Sequence, residues 1–504
     1  MADFMSALEK ASESLFPNTS VTENGAIGLK STGNKLLDMN FKLSSMRNMS
    51  DNEIWSLFLR AYNENPSLAM LWLFFARDIR GGCGERRVFR VVFERFCREN
   101  SAVAIRLLSL IPFYGRWDDL IGVFCGDVPC NVREAAFSVI QEQLTDDLGN
   151  MKAGKPVSLL AKWMPSTVTS SRDTRRNAER LRAKLGFTPR QYRKTFSSLR
   201  RHIGVTEQKM SGGEWDQIDY QTVPSRAAMN YRAAFMRHDY DRYDEYLANV
   251  SSGEAKINSG VLYPYDIVHA YKNAHNLDRT LEAQWKALPN TVHEGQSTIV
   301  VVDGSGSMYQ RVGNTAVTCY DVARSIGLYF AEKLPGQYHH KFITFSENPR
   351  FVTFADTLSL YARIALMEEY DECSNTDIEK VFDLVLNTAL ENHLPQEEIP
   401  ANILVVSDME FDEGVCDPDE NLFVSIRRKW ETSGYKLPRL IFWNVCSRTG
   451  TIPIAENENG VTLVSGFSPN IADMVMSGDI DPYNCLVSKL MSDRYLPVMN
   501  ALKE

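Results

Sequence analysis

The chain has little of what most catalytic or metal-binding signatures require. Its 504 residues include nine cysteines but no CxxC pair, and Cys125 and Cys130 are the nearest two. An odd number of scattered cysteines without ligand spacing argues against a zinc site or a disulfide framework. It is expected of reduced, mostly buried thiols in a cytoplasmic protein. The eight histidines, His202 and the pair His339–His340 among them, show no ligand spacing with cysteine or an acid, so none is assigned to catalysis. The opening "MADFMSALEKASESLF" carries acids where a secretion signal needs a basic and then an apolar stretch. The longest strongly apolar run, "SLAMLWLFF", is about half of what a bilayer span requires. No membrane partner is expected. A formal net charge of −9 excludes a wholly basic nucleic-acid coat, though not a local basic patch.

What is present fits a soluble globular chain: 44% hydrophobic and 24% charged residues, at a length that implies two or three domains. Residues 1–35, rich in Ser, Thr, Asn and Gly, are expected to form a flexible arm. From 36 to 290 the periodicity is helical. "SDNEIWSLFLRAY" opens with a capping box, Ser50 toward the backbone and Glu53 reaching back, and places Ile54, Leu57, Phe58 and Ala61 on one face. "SLAMLWLFFARDI" is apolar nearly all round and reads as a buried helix, and "RRVFRVVFERFCREN" stacks Val88, Val92 and Phe96. Short amphipathic helices joined by short turns predict a stack of helical hairpins. "RGGCGERR" lacks the GK[ST] ending of a phosphate loop and follows a helix, so it reads as a turn.

Between 171 and 209 the chain holds twelve Lys/Arg against three acids. Arg172, Arg175, Arg176, Arg180, Arg182, Lys184, Arg190, Arg193, Lys194, Arg200 and Arg201, with Tyr192, Phe196 and His202 interleaved, could neutralise phosphates and offer planes for base stacking. The bland alternative is a solvated helix face that pairs with acids from elsewhere.

From 291 to 480 the pattern switches to apolar strands alternating with helices, which predicts a doubly wound α/β domain, and 481–504 read as a closing helical segment. "VVDGSGSM" stands where the first of these strands ends. Ligands in open parallel sheets sit beyond the carboxyl ends of the strands. Asp303, Ser305 and Ser307 can turn oxygens toward one centre, and oxygen-only ligands suit Mg²⁺ or Mn²⁺. Later junctions supply Thr376, in "CSNTDIEKVF", and Asp408, in "NILVVSDMEF". Glu410 and Asp412 follow as acids that could tune charge there.

The DxSxS loop, the later Thr and the Asp after "VVSD" resemble the metal-ion-dependent adhesion site of von Willebrand factor A domains. The resemblance implies a Rossmann-like C-terminal domain in which Ser305, Ser307 and sometimes Thr376 touch the metal. Asp303 and Asp408 would act through water, and an open position would accept a carboxylate from an acidic protein ligand. The segments "FFARDIRGGCGERRVF", "IPFYGRWDDL", "LLAKWMPS" and "YRKTFSSLRRHIGVTEQKMSGGEWDQIDY" resemble the TROVE-related helical module, nearest to a branch whose members also end in a von Willebrand A domain. The related Ro autoantigens close this module into a ring of HEAT-like repeats and bind small RNAs. Three functions stay open: a non-enzymatic RNA-binding ribonucleoprotein scaffold, a protein-only adaptor, and a metal-dependent hydrolase using Asp303. The last suffers because Ser305 stands where phosphotransferases of the haloacid dehalogenase type carry a second acid.

Overall fold

A computed structural model describes residues 18–272, 274, 276–292, 297–345, 347–370, 375, 377–412, 422–453, 461–468 and 481–503. The chain divides into two compact units that interleave along the sequence. One comprises 1–69, 263–278 and 290–490; the other comprises 70–262, 279–289 and 491–504.

The first unit is built on a mixed six-stranded sheet. Its strands are β3 (Thr298–Asp303), β4 (Lys341–Phe345), β5 (Arg350–Thr353), β6 (Asn402–Ser407), β7 (Arg439–Asn444) and β8 (Val461–Ser465). A separate hairpin, β1 (Thr19–Val21) with β2 (Ile27–Leu29), precedes them. The sheet order is β5-β4-β3-β6-β7-β8, with β5 antiparallel to β4 and every other pairing parallel. Every residue of β3, β6 and β8 is buried, as the unbroken apolar runs "TIVVV" and "NILVV" demand of strands covered on both faces. The helix Cys319–Lys333 packs on β3 and β6. Its Gly327 makes the close approach possible, since a Cβ there would lie 2.4 Å from Cγ2 of Val302.

The residues expected as a loose arm include the β1–β2 hairpin, tied to the sheet unit by backbone bonds from Leu29 N to Ile452 O (2.7 Å) and from Ile452 N to Leu29 O (2.8 Å). The helix Lys35–Phe41 follows, and Asn444 Nδ2 donates to Phe41 O at 2.9 Å.

The second unit is helical. Pro66–Arg77, the apolar run of the sequence, is buried along nearly its whole length, and Val88, Val92 and Phe96 form the buried stripe of Arg86–Glu99. The capping box of Ser50 and Glu53 forms as its spacing requires, in the first unit. "RGGCGERR" is a turn between two helices, and a Cβ at Gly82 would lie 2.0 Å from Phe75 O. The helix Arg86–Glu99 and the end of Pro66–Arg77 meet the segment around Asp119 through buried charge: Arg77 Nε and Nη2 donate to Asp119 Oδ2 (2.9 and 2.7 Å), and Arg90 Nε donates to Asp119 Oδ1 (2.7 Å). A charge pair with Asp119 wholly buried is tolerated because both carboxylate oxygens are satisfied. Asp78 holds Arg494 and so fixes the last helix, Leu496–Lys503, to this unit. The seven described cysteines are all free, and five of them are buried. No helix among the described residues is long and apolar enough to cross a membrane.

Candidate functional site

The register of two neighbouring strands creates the first candidate site. In the parallel pair β3–β6, Val302 lies opposite Val406, so the last residues of the two strands, Asp303 and Ser407, end side by side. Ser407 Oγ donates to Asp303 Oδ2 at 2.5 Å, and the Ser305 amide donates to Asp303 Oδ1 at 2.9 Å. β3 is also where the strand order reverses: the chain runs from it to β4 on one side and later to β6 on the other. The crevice at such a reversal is where open α/β sheets bind ligands.

The loop after β3 is held by backbone bonds from Gly304 N to Phe345 O (2.7 Å) and from Met308 N to Ser305 O (3.1 Å), with Met308 fully buried beneath it. This leaves Ser305 Oγ and Ser307 Oγ 3.1 Å apart. Adjacent ligands of an octahedral Mg²⁺ with bonds of about 2.0–2.1 Å stand about 3 Å from each other, so the two hydroxyls have the right separation.

Asp408, one residue past β6, is 1% exposed, and its Oδ2 has no hydrogen-bond partner. Arg448 Nη2 stands 3.8 Å from that oxygen, too far for a hydrogen bond, and is itself paired with Glu23. Burial pushes both carboxyls above the ordinary range. Asp303 is raised mainly by desolvation, against hydrogen bonds from Ser407 and Ser305 that lower it, with Asp412 adding to the rise. Asp408 is raised by desolvation first and then by the charges of Asp303 and Glu410, against Arg448 and the Ser307 hydroxyl, which lower it. An unpaired buried carboxylate oxygen is costly unless something positive meets it. Two acids and two hydroxyls in one crevice form the hard, oxygen-only donor set that a divalent cation takes.

Glu410 has a different task. Its Oε1 accepts from the amides of Arg448 (2.7 Å) and Thr449 (2.9 Å) and from Ser447 Oγ (3.1 Å). Its Oε2 accepts from the Glu23 amide at 2.9 Å. It is a buried clamp that fastens the loop after β7 to the hairpin segment. Between Asp408 and Glu410, Met409 takes a left-handed backbone with φ of 65°, strained for a residue with a side chain. Thr376 lies outside the described residues. Ser407, Arg448 and the clamping role of Glu410 are additions that sequence reasoning missed. Ser407 stood inside the quoted "VVSD", whereas Arg448, in "CSRTG", carried no signal.

The basic segment forms two helices of the second unit, Arg172–Lys184 and Pro189–Ile203. Several of its cations are engaged within the protein. Arg200 donates to the carbonyls of Ala161 (2.8 Å) and Met164 (2.7 Å), and Arg180 to that of Cys125 (2.9 Å). Arg182 pairs with Glu179, Lys184 with Glu134 and Arg176 with Asp173. Arg193 makes a long bond to Pro189 O at 3.4 Å. Arg172, Arg175, Arg190, Lys194 and Arg201 are exposed and carry no hydrogen bond or ion pair among the described residues. The expectation that Tyr192 and Phe196 offer stacking planes is corrected. Both lie in the core, 2% and 1% exposed, and Tyr192 Oη donates to Pro165 O. Their spacing with Leu199 is that of a buried helical stripe.

Comparison with known proteins adds relatives of unassigned role. A family described as a domain of unknown function, DUF7788, matches residues 297–489, and a second, DUF2828, matches residues 169–302. "Uncharacterized protein L728" of Acanthamoeba polyphaga mimivirus is 28% identical over 509 aligned residues, covering 94% of this chain and 87% of that protein. The likeness to that viral protein therefore runs through both units.

Proposed function

We propose that the chain is a non-enzymatic binding scaffold whose sheet unit holds Mg²⁺, or Mn²⁺, at an adhesion-type site, and whose helical unit presents cations to RNA. The observation that carries this reading is the buried Oδ2 of Asp408, which accepts no hydrogen bond and stands 3.8 Å from Arg448 Nη2, beside Asp303 at the point where the strand order reverses. Asp303, Ser305, Ser307 and Asp408 would hold the ion. The ion would supply a Lewis-acidic position for a carboxylate from an acidic protein partner, as in von Willebrand A domains, and Arg448 adds positive charge beside that position. The strand order, with its single antiparallel edge strand, supports the same likeness. Hydrolysis is disfavoured because no second acid stands at 305, and Asp303 is occupied by Ser407 and the Ser305 amide.

Titration of the full chain with Mg²⁺, followed by heat of binding, tests the site. Asp303→Ala should abolish binding while the far-ultraviolet dichroism stays unchanged; equal affinity in that variant would remove the proposal. For RNA, the absorbance ratio of purified protein before and after nuclease is the readout. A protein-only adaptor is the second reading. The burial of Tyr192 and Phe196 favours it, because it removes the stacking platforms that single-stranded RNA would use. Mg²⁺-dependent capture of a defined acidic peptide by a nucleic-acid-free preparation would support that alternative.

A further inference from the structure

At the opposite end of the same sheet, the structure gathers two imidazoles and a carboxylate. His339 and His340 immediately precede β4, and Asp356 follows β5. Because β5 returns antiparallel to β4, with Lys341 opposite Thr353, the chain leaving β5 comes back beside the start of β4, with Asp356 three residues beyond the strand. Backbone bonds fix the junction: His340 N donates to Ala331 O at 2.7 Å, and Phe354 N donates to His340 O at 2.9 Å. Neighbouring residues on an extended chain point to opposite sides. Here His340 instead has a left-handed φ of 57°, and the two rings stack with centroids 3.7 Å apart.

The hydrogen bond of His339 specifies which of its nitrogens is free. His339 Nδ1 lies 3.1 Å from Leu334 O, and a carbonyl can only accept, so Nδ1 carries the proton and Nε2 keeps its lone pair. His340 Nδ1 lies 2.8 Å from Asp356 Oδ1. One ligand atom from each of the three residues falls within 4.8 Å of the others. A ligating histidine whose second nitrogen bonds a carbonyl is a common arrangement around protein-bound metals.

We propose that His339, His340 and Asp356 form a second metal site, for a borderline transition-metal ion of the Zn²⁺ class. Nitrogen-rich donors select such ions over Mg²⁺, and three protein ligands leave the fourth tetrahedral position to water or to a donor from a partner. The 85% exposed Asp356 side chain can adjust to bring its oxygen to bonding distance, while the 6% exposed His340 provides the fixed side of the site. The site is independent of the Asp303 crevice, from which it is separated by the length of β4.

The test is calorimetric titration of the full chain with Zn²⁺ in excess Mg²⁺, repeated on His339→Ala, His340→Asn, Asp356→Asn and Asp303→Ala. Asparagine is chosen at 340 because it tolerates the left-handed backbone. The wild type and Asp303→Ala should bind one equivalent that His339→Ala and His340→Asn lose, and Asp356→Asn should weaken binding at least about tenfold. Co²⁺ in place of Zn²⁺ should give visible absorption bands that vanish in the same variants. Should His340→Asn misfold, His339→Ala and Asp356→Asn decide alone. Undiminished Zn²⁺ binding in those two, or no binding by the wild type, overturns the site.

Discussion

Replacing Asp408 by Asn gives the most informative perturbation, because it acts in opposite directions with and without metal. Without a cation, the folded protein holds two carboxyls whose proton affinity is raised by burial and by their mutual charge. A group raised on folding contributes stability at pH below its unfolded value and loses it as pH rises through its folded value. The window runs from about pH 4, the ordinary carboxylate value, to about pH 7, to which Asp408 is raised. One excess bound proton in the folded state corresponds to a slope of about 1.4 kcal/mol per pH unit. In a unit of this size that is about 2–3 °C of Tm per pH unit. In a chelator, Asp408→Asn should therefore gain Tm over the wild type progressively as pH is raised from 5 to 7. With Mg²⁺ at a hundred times its Kd, the wild type gains about 2.7 kcal/mol that the variant lacks; at pH 5, where the proton linkage has cost the wild type only about 1.4 kcal/mol, the order of the two melting temperatures reverses. Differential scanning fluorimetry across pH, with and without Mg²⁺, measures both effects. A variant less stable than wild type at pH 7 in chelator, or a Mg²⁺ shift that survives the substitution, refutes the reasoning.

Glu410→Ala strands the amides of Glu23, Arg448 and Thr449 and should cost about 3–5 kcal/mol in urea unfolding, with or without Mg²⁺. Gly327→Ala drives a Cβ into Val302 and should destabilise by about 1–3 kcal/mol; adding Val302→Ala should restore part of that loss in a double-mutant cycle. Charge reversal at Arg175, Lys194 and Arg201 should weaken RNA retention on a filter and flatten its salt dependence. The same reversal at Arg200, which binds two carbonyls, should instead lower the melting temperature.

Local rules made much of this legible in advance. The Ser50 capping box, the buried apolar helix and the unbroken strand runs each depend on residues within a few positions of one another. Pattern reading also joined Asp303 to Asp408, because both stand where a buried parallel strand ends, and the β3–β6 register does bring those ends together. Reading failed where an outcome depends on distant partners. Nothing near Arg200 in sequence says that two carbonyls from 161 and 164 will absorb its charge. The Tyr192, Phe196 and Leu199 spacing was readable as a core stripe, but the surrounding charges drew attention to the opposite face. His340 and Asp356 meet only because β5 runs antiparallel to its neighbour, a direction that composition does not encode.

The hairpin at the start of the sheet unit has a consequence for biosynthesis. Thr22 hydrogen-bonds Phe411, 389 residues later in the chain. At about 5–20 residues per second, a ribosome needs roughly 20–80 s to deliver that partner. During that interval the emerged segment, including the apolar side of Lys35–Phe41, has nothing of its own sheet to cover it. Early engagement by a holding chaperone, and aggregation when translation stalls before β7, are the natural outcomes to look for with nascent chains arrested at successive lengths.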